Sequence, residues 1–460
     1  MAIDSTPDPA TLSAVFKAYD VRGTVPDQLD ENLASAVGNA FVAVADAAGS
    51  GVVVGHDMRP SSPGMARAFA EGAAAAGADV HLIGLASTDE LYFASGKLGV
   101  PGAMFTASHN PANYNGIKLC RAHAVPVGLD TGLSEIRDRV ASGQRVTVDT
   151  PGHIDEIDVL ADYADYLREL APVRGRRLRV AVDAGNGMAG HTAPAVLGQL
   201  DLEVLPLYFE LDGTFPNHEA NPIDPENLRD LQAKVRESAA DLGLAFDGDA
   251  DRCFVVDERG EVVSPSVLTA LIAARELRRE PGARVIHNLI TSRAVPEIVT
   301  ELGGVPVRTR VGHSFIKATM AESGAVFGGE HSGHFYFRDF WRADSGMLAA
   351  LHVLAALAET DRPLSELLAE YSRFVASGEI NSTVEDQQQV MSAVETHYAG
   401  RDAVEIDQLD GLTVTAANWW FNVRPSNTEP LLRLNVEADD EPTMAATRDE
   451  VLAIIRGQNA

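Results

Sequence analysis

The chain has 460 residues, 45% of them hydrophobic and 6% aromatic, with a formal net charge of −29. That length is too great for a single core and divides into about three or four domains, each of ordinary globular composition. The charge argues against nucleic acid and anionic membranes as partners, and an anionic substrate would need a local island of cations. No apolar run reaches the roughly 18 residues that cross a bilayer. The N-terminal MAIDSTPDPATLSAVF carries neither the basic nor the apolar region of a secretory signal. Cys120 and Cys253 are the only cysteines, far apart and without metal-ligand spacing, so they read as free thiols in a reducing cytoplasm.

In chain order, Lys17 to Gly23 marks an early strand end and offers Lys17 and Arg22 as cations beside Tyr19. Asp30 is placed to cap a helix running to about residue 48, and 51–55 reads as a buried strand. Ser62-Pro63 opens a second helix that Gly77 ends. Strands at 80–83 and 102–107 complete a βαβ pattern, which implies a mostly parallel sheet. The polar stretch 141–156 looks like a boundary. The rhythm then restarts: a helix at about 156–170, strands at 178–182, 242–246 and 253–256, a helix at 266–279, strands at 285–288 and 305–307, and a helix at 344–358. From about 375 it changes to short strands with a closing helix. The rhythm predicts three successive α/β domains plus a smaller C-terminal α+β domain. Their expected bounds are 1–150, 151–258, 259–372 and 373–460.

Four loops carry chemistry. Thr106-Ala-Ser-His-Asn-Pro111 follows an apolar strand and presents the Ser108 hydroxyl at its tip, where α/β proteins place their sites. No G-x-S-x-G elbow surrounds it, and His109 as immediate neighbour is poorly placed as its base, so a serine hydrolase is disfavoured. Asp247-Gly-Asp-Ala-Asp-Arg252 sets three carboxylates at alternate positions; in extended backbone they share one side, with Gly248 bending the chain around a hard cation. Acids at Asp247, Asp249, Asp251 and Glu258 mimic a calcium-binding EF-hand loop, but Arg252 occupies the position of its glycine and the flanks read as strands. Gly328 to His334 offers Glu330, Ser332 and two imidazoles among glycines, a clamp for vicinal hydroxyls. Upstream, Gly312 to Lys317 opens a helix bearing His313 and another ammonium. Arg424 to Pro430 offers Arg424, Ser426, Asn427 and Thr428 as convergent donors for a phosphate. A nucleophilic hydroxyl, a hard-metal site, a sugar clamp and a phosphate clamp together are the parts needed to move a phosphoryl group on a sugar phosphate.

These four motifs, with Tyr114-Asn115-Gly116-Ile117-Lys118 after the first, resemble in order those of the α-D-phosphohexomutases, most closely the bacterial phosphomannomutase group. The resemblance spans essentially the whole chain and implies three related mixed-sheet α/β domains plus the smaller C-terminal α+β domain around a central active-site cleft. It implies an isomerase in which Ser108 carries a phosphoryl group and one Mg2+ is held by Ser108, Asp247, Asp249 and Asp251. It also implies that Glu330 and Ser332 hold sugar hydroxyls, while Arg424, Ser426, Asn427 and Thr428 hold the distal phosphate. Tyr19, Arg22, Lys118, Arg252, His313 and His334 match positions lining the family's cleft; Arg252 and Lys118 are positioned to assist the transfer, and His109, Lys118 and His334 are the candidates for general acid–base duty. A hexose 1,6-bisphosphate is the implied intermediate and activator. Phosphoglucomutase or dual activity stays open; phosphoglucosamine mutase is less favoured because that group carries Gln where His331 stands. A metal-dependent sugar phosphatase would use the same residues in an open cleft. The implied partner is a hexose phosphate, in a monomer or dimer.

Overall fold

The computed structural model describes residues 8–426 and 431–457, with the backbone alone at 313 and 314. It contains four sheets. The first runs in the order Val21–Thr24, Tyr114–Arg121, Gly102–Phe105, Gly51–His56, Asp79–Leu85, Ile154–Glu156. Gly51–His56 pairs in parallel with Asp79–Leu85 and Gly102–Phe105, and Tyr114–Arg121 and Val21–Thr24 continue from Gly102–Phe105 antiparallel. Ile154–Glu156 pairs with Asp79–Leu85. The first sheet thus draws on residues beyond 150, and the polar stretch ends in a strand because its Ile154 alternates into a parallel pairing. The helix Glu31–Val44 starts where Asp30 accepts from the Leu33 amide at 2.8 Å. It stops four residues short of the expected end, since Asp46 turns left-handed (φ 54). It packs on the helix Ser62–Ala75 at backbone contact: a Cβ on Gly38 would lie 2.2 Å from the Phe69 carbonyl oxygen, and one on Gly72 2.1 Å from that of Ser35.

The second sheet (Leu178–Asp183, Leu202–Leu207, Leu242–Phe246, Cys253–Asp257, Val262–Val263) and the third (Arg284–Asn288, Val305–Thr309, Phe327–Gly329, Phe335–Phe337, Ala343–Asp344) share one plan. In each, three parallel strands are followed by antiparallel ones. The fourth sheet is wholly antiparallel, in the order Val375–Thr383, Leu431–Ala438, Trp419–Pro425, Leu412–Thr415, Glu405–Asp407, with helices Gln387–Tyr398 and Glu441–Ile455 against it. In the first three units the motif loop joins the last parallel strand to its antiparallel neighbour: 106–113, 247–252 and 330–334. The third loop is preceded by the strand Phe327–Gly329, so Gly328 and Gly329 are sheet residues. On Gly329 a Cβ would lie 2.2 Å from the Thr269 hydroxyl.

The second and third units share one buried cluster, which also takes in Tyr92 and Phe93 from the helix Thr88–Leu98 of the first. There Phe93 meets Tyr163 and Trp341 edge-on at 5.9 and 6.0 Å. The rest of the first unit has its own core, and so does the fourth. The fourth touches the third through polar contacts: the Arg293 amide on Glu437 (3.0 Å), the Val311 amide on Asp410 (3.0 Å), and the pairs Arg293–Asp439 and Arg308–Asp407. Among the described residues no helix is long and apolar enough to cross a membrane.

Candidate active site

Ser108 is 6% exposed and takes a left-handed turn (φ 49), with its amide donating to Thr106 Oγ1 at 2.9 Å. Its Oγ lies 2.7 Å from Asp247 Oδ2 and 3.2 Å from His109 Nδ1. The hydroxyl has one proton, which it donates to Asp247, leaving His109 to donate to Oγ. His109 is therefore within reach of Oγ, but as a donor and not as its base; the left-handed turn folds the adjacent side chains together. Burial, reinforced by Arg252 and Arg22, pushes the His109 imidazole down to about 2, so it is neutral.

The carboxylates of Asp247, Asp249 and Asp251 are at most 1% exposed, with ligand oxygens within 4.8 Å of one another. They converge through a tight turn and not through extended backbone, with Ala250 in the left-handed region (φ 61). Gly248 serves a purpose other than the expected bend. A Cβ there would lie 2.4 Å from the Ser108 carbonyl oxygen, so only glycine lets the two loops touch. Lys118 Nζ bridges Asp249 (2.7 Å) and Asp251 (2.6 Å), and Arg252 Nε meets Asp247 at 2.9 Å. Burial opposes the charge on Lys118, but the two carboxylates outweigh it and hold its pKa well above the usual range. Burial lifts Asp247 to about 7 against the pull of Arg252; for Asp249 the ammonium of Lys118 overcomes burial and keeps the carboxyl low. Three carboxylates thus face two nearby cations. Asp249 Oδ1 and Asp251 Oδ1 are buried with no hydrogen-bond partner among the described residues. An all-oxygen set with two such atoms fits a hard divalent cation.

The third loop is tied to the second: Arg252 and His334 form an antiparallel bridge, and the Cys253 amide donates to Gly333 (3.2 Å). Glu330, 3% exposed, accepts from Tyr336 (2.8 Å), the Gly312 amide (3.1 Å) and Asn288 (3.4 Å). Ser332 Oγ is 2.9 Å from His334 Nδ1, and His334 Nε2 is 3.7 Å from Asp251. From the first unit, Arg22 reaches both Asn110 and Asp20 at 2.5 Å. Tyr19 and Arg424 line one cavity of about 420 Å³ between the first, third and fourth units, and Arg424 pairs with Glu379 at 2.9 Å. Ser426 is 8% exposed beside it in sequence; Asn427, Thr428 and the side chain of His313 lie outside the described residues. Lys17 is exposed. Lys317 is committed elsewhere: it pairs with Asp344 at 2.6 Å and lies 4.3 Å from the Tyr92 ring.

Sequence reasoning missed Thr88 and Asp344. Thr88 Oγ1 donates to Asp249 Oδ2 at 2.5 Å, and its amide to the Asp249 carbonyl at 3.0 Å. Its only sequence signal, Ser87-Thr-Asp-Glu90, is the capping box that indeed opens its helix. Asp344 groups with Asp251 and His334 within metal-ligand reach, yet its Asp-Ser-Gly context reads as an ordinary helix start.

Four family models match the chain, described as phosphoglucomutase/phosphomannomutase alpha/beta/alpha domain I (13–146), domain II (161–260), domain III (265–374) and C-terminal domain (379–454). The chain belongs to the phosphoglucomutase/phosphomannomutase family. It is 42% identical over 452 residues to a protein of Xanthomonas campestris named phosphohexose mutases, covering 97% of this chain and 100% of that one. To a phosphomannomutase of Escherichia coli K12 it is 39% identical over 451 residues, covering 96% and 98%. The crystal structure of a phosphoglucomutase/phosphomannomutase family protein from Burkholderia thailandensis superposes with a TM-score of 0.88 at 33% identity, covering 96% of this chain and 98% of that one.

Proposed function

We propose that the protein is a phosphomannomutase, interconverting mannose 1-phosphate and mannose 6-phosphate through a phosphoserine at Ser108. The observation that carries this reading is the contact of Ser108 Oγ with Asp247 in a nest of three buried carboxylates and two cations. A serine that attacked a carbonyl would have no use for that nest, whereas a serine carrying a phosphoryl group needs charge neutralised around it.

Ser108 gives its phosphoryl group to the free O6 or O1 of a hexose monophosphate; the P–Oγ bond breaks, a P–O bond to the sugar forms, and the proton lost by the sugar hydroxyl is balanced by the one that restores the Ser108 hydroxyl. The resulting hexose 1,6-bisphosphate turns over in the cleft and returns its other phosphate to Ser108. When bound, an Mg2+ held by Asp247, Asp249, Asp251 and an oxygen on Ser108 supplies charge neutralisation. Arg252 and Lys118 add fixed positive charge at the reacting end, and neutral His109 donates to the serine oxygen. Glu330 and Ser332 grip sugar hydroxyls. Arg424, Ser426, Asn427 and Thr428 take the distal phosphate, with Tyr19, Arg22, His313 and His334 lining the path. All these groups come from one chain, so the proposal needs no partner subunit. Buried free thiols at Cys120 and Cys253 support a cytoplasmic setting.

Ser108→Ala should abolish isomerisation, and turnover near the wild-type rate refutes the proposal. Comparing kcat/KM on mannose 1-phosphate, glucose 1-phosphate and glucosamine 1-phosphate, with a bisphosphate activator, reads the sugar preference. Release of inorganic phosphate as fast as isomerisation identifies a phosphatase instead.

A further inference from the structure

We infer that Arg59 is a positioning residue for phosphoryl transfer: its buried guanidinium, braced by Asp57, holds the backbone of the Ser108 loop in the one shape that presents Oγ to the second unit. The inference rests on Ser108 as phosphoryl carrier. Arg59 is 1% exposed, an unusual place for an arginine. One terminal nitrogen donates to the carbonyls of Ser108 (2.9 Å) and Asn110 (2.7 Å), the other to those of Pro111 (2.8 Å) and Tyr114 (3.0 Å). Nε donates to Asp57 Oδ2 at 3.2 Å. All five N–H groups of the guanidinium are thus used: three hold the loop and a fourth the first residue of the strand that leaves it.

Asp57 fixes the arginine in turn. Its Oδ1 accepts from the Arg59 amide (2.9 Å) and from Ser62 Oγ (2.6 Å), and its own amide donates to Phe105, the last residue of the strand that delivers the loop. Ser62 Oγ also accepts from Asn115 (2.9 Å), on the strand that leaves the loop. The brace therefore grips both ends of the loop and its crest.

Ser108 needs such a brace for two reasons. A serine at φ 49 is in a sparsely populated region, and that shape persists only where the surroundings over-determine it. The loop must also keep its shape while its hydroxyl gains and loses a doubly charged group in every cycle. A clamp on backbone carbonyls is indifferent to that change, because it never touches the transferred group. The same clamp sets the loop against the second unit. The Arg59 guanidinium carbon lies 5.1 Å from the Phe215 ring centroid, a Cβ on Gly213 would lie 2.6 Å from Arg59 Cα, and Gly248 abuts the Ser108 carbonyl that Arg59 holds. A lysine keeps the charge but has three donors on a single nitrogen and cannot span four carbonyls.

The test compares wild type, Arg59→Lys and Ser62→Ala by thermal unfolding, by KM and kcat on mannose 1-phosphate with glucose 1,6-bisphosphate, and by the phosphoryl content of Ser108 from intact mass. If wild-type Ser108 carries no phosphoryl group during turnover, the carrier reading itself fails. Given a phosphorylated wild type, R59K should retain its fold, keep KM within about 3-fold and lose about 100-fold in kcat, the cost of a reacting atom misplaced by ~1 Å. Its phosphoenzyme should also leak inorganic phosphate faster, a readout that loss of packing alone would not move. S62A, which removes one hydroxyl, should show the same pattern at about 10-fold. A kcat in R59K within about two-fold of wild type overturns the inference. So does a fall in kcat that comes with a collapsed melting transition while S62A turns over normally.

Discussion

Stripping the divalent cation should lower thermal stability, and the size of the effect follows from the charges in the second loop. Asp247, Asp249 and Asp251 are all but fully buried, and Lys118 and Arg252 are the cations that meet them directly. With all three ionised one negative charge is left over, and two buried carboxylate oxygens lack hydrogen bonds among the described residues. Such oxygens favour a cation strongly in the folded chain and hardly at all in the unfolded one, where the three acids drift apart. Mg2+ at about 100 times its Kd would add about 2.7 kcal/mol, which moves Tm by roughly 3–4 °C in a transition that takes in the first three units. The assay is thermal unfolding in chelator and in saturating Mg2+, for wild type and Asp251→Asn. The variant should lose most of the shift. An unchanged wild-type Tm on adding Mg2+, or an undiminished shift in D251N, refutes the assignment of the ion to these acids.

Lys118→Met leaves Asp249 and Asp251 without their ammonium; it should bind Mg2+ more tightly by calorimetry yet turn over on the order of 100-fold more slowly, and wild-type turnover would contradict the role given to Lys118. Glu90 is buried at the start of the helix Thr88–Leu98, where desolvation, aided by Asp89, raises its pKa to about 8. A carboxyl raised above its unfolded value stabilises the fold while protonated and loses that contribution as pH climbs toward 8. Wild type should therefore lose about 2 kcal/mol more stability than Glu90→Gln between pH 6 and 9, read by denaturant unfolding; parallel pH profiles would count against it. Asp89 accepts from Ser87, from Tyr163 at 2.8 Å and from Ser345 at 2.6 Å, joining three units at one carboxyl that burial raises to about 7. Asp89→Ala strips three buried hydroxyls of their acceptor and should cost about 3–6 kcal/mol, whereas Asp89→Asn, close to the protonated form, should cost about 1 kcal/mol. Equal costs would mean that the hydroxyls find other partners.

The loops were legible because each is a short contiguous motif whose residue types state their chemistry. Ser108, Asp247, Glu330 and Arg424 needed no tertiary information to be singled out. What escaped lies between units or in backbone shape. Thr88 meets Asp249 across 161 positions, and nothing local marks a threonine in a capping box as support for a metal loop. Gly248 looked like a hinge, yet it makes room for a neighbouring carbonyl, a requirement visible only once both loops are placed. Ala250 at φ 61 and Asp46 at φ 54 carry no glycine signal, so the tight turn of the metal loop and the early end of the first long helix were hidden. Asp344 and Lys317 neutralise each other in the interior, which removed Lys317 from the set of available cations.

The unequal joining of the four units has a mechanical consequence. Two of them share a continuous apolar interior into which a helix of the first is packed, and that first unit meets the second at a carbonyl no side chain can approach. Those three move as one block: sliding any of them would tear oil from oil or open a void. The fourth keeps its core to itself and leans on the third through amide-to-carboxylate bonds and exposed ion pairs, which water can replace almost without penalty. The molecule is therefore a vice with three fixed jaws and one free one. Concentrated salt, which loosens surface ion pairs and spares apolar cores, should act on the free jaw first.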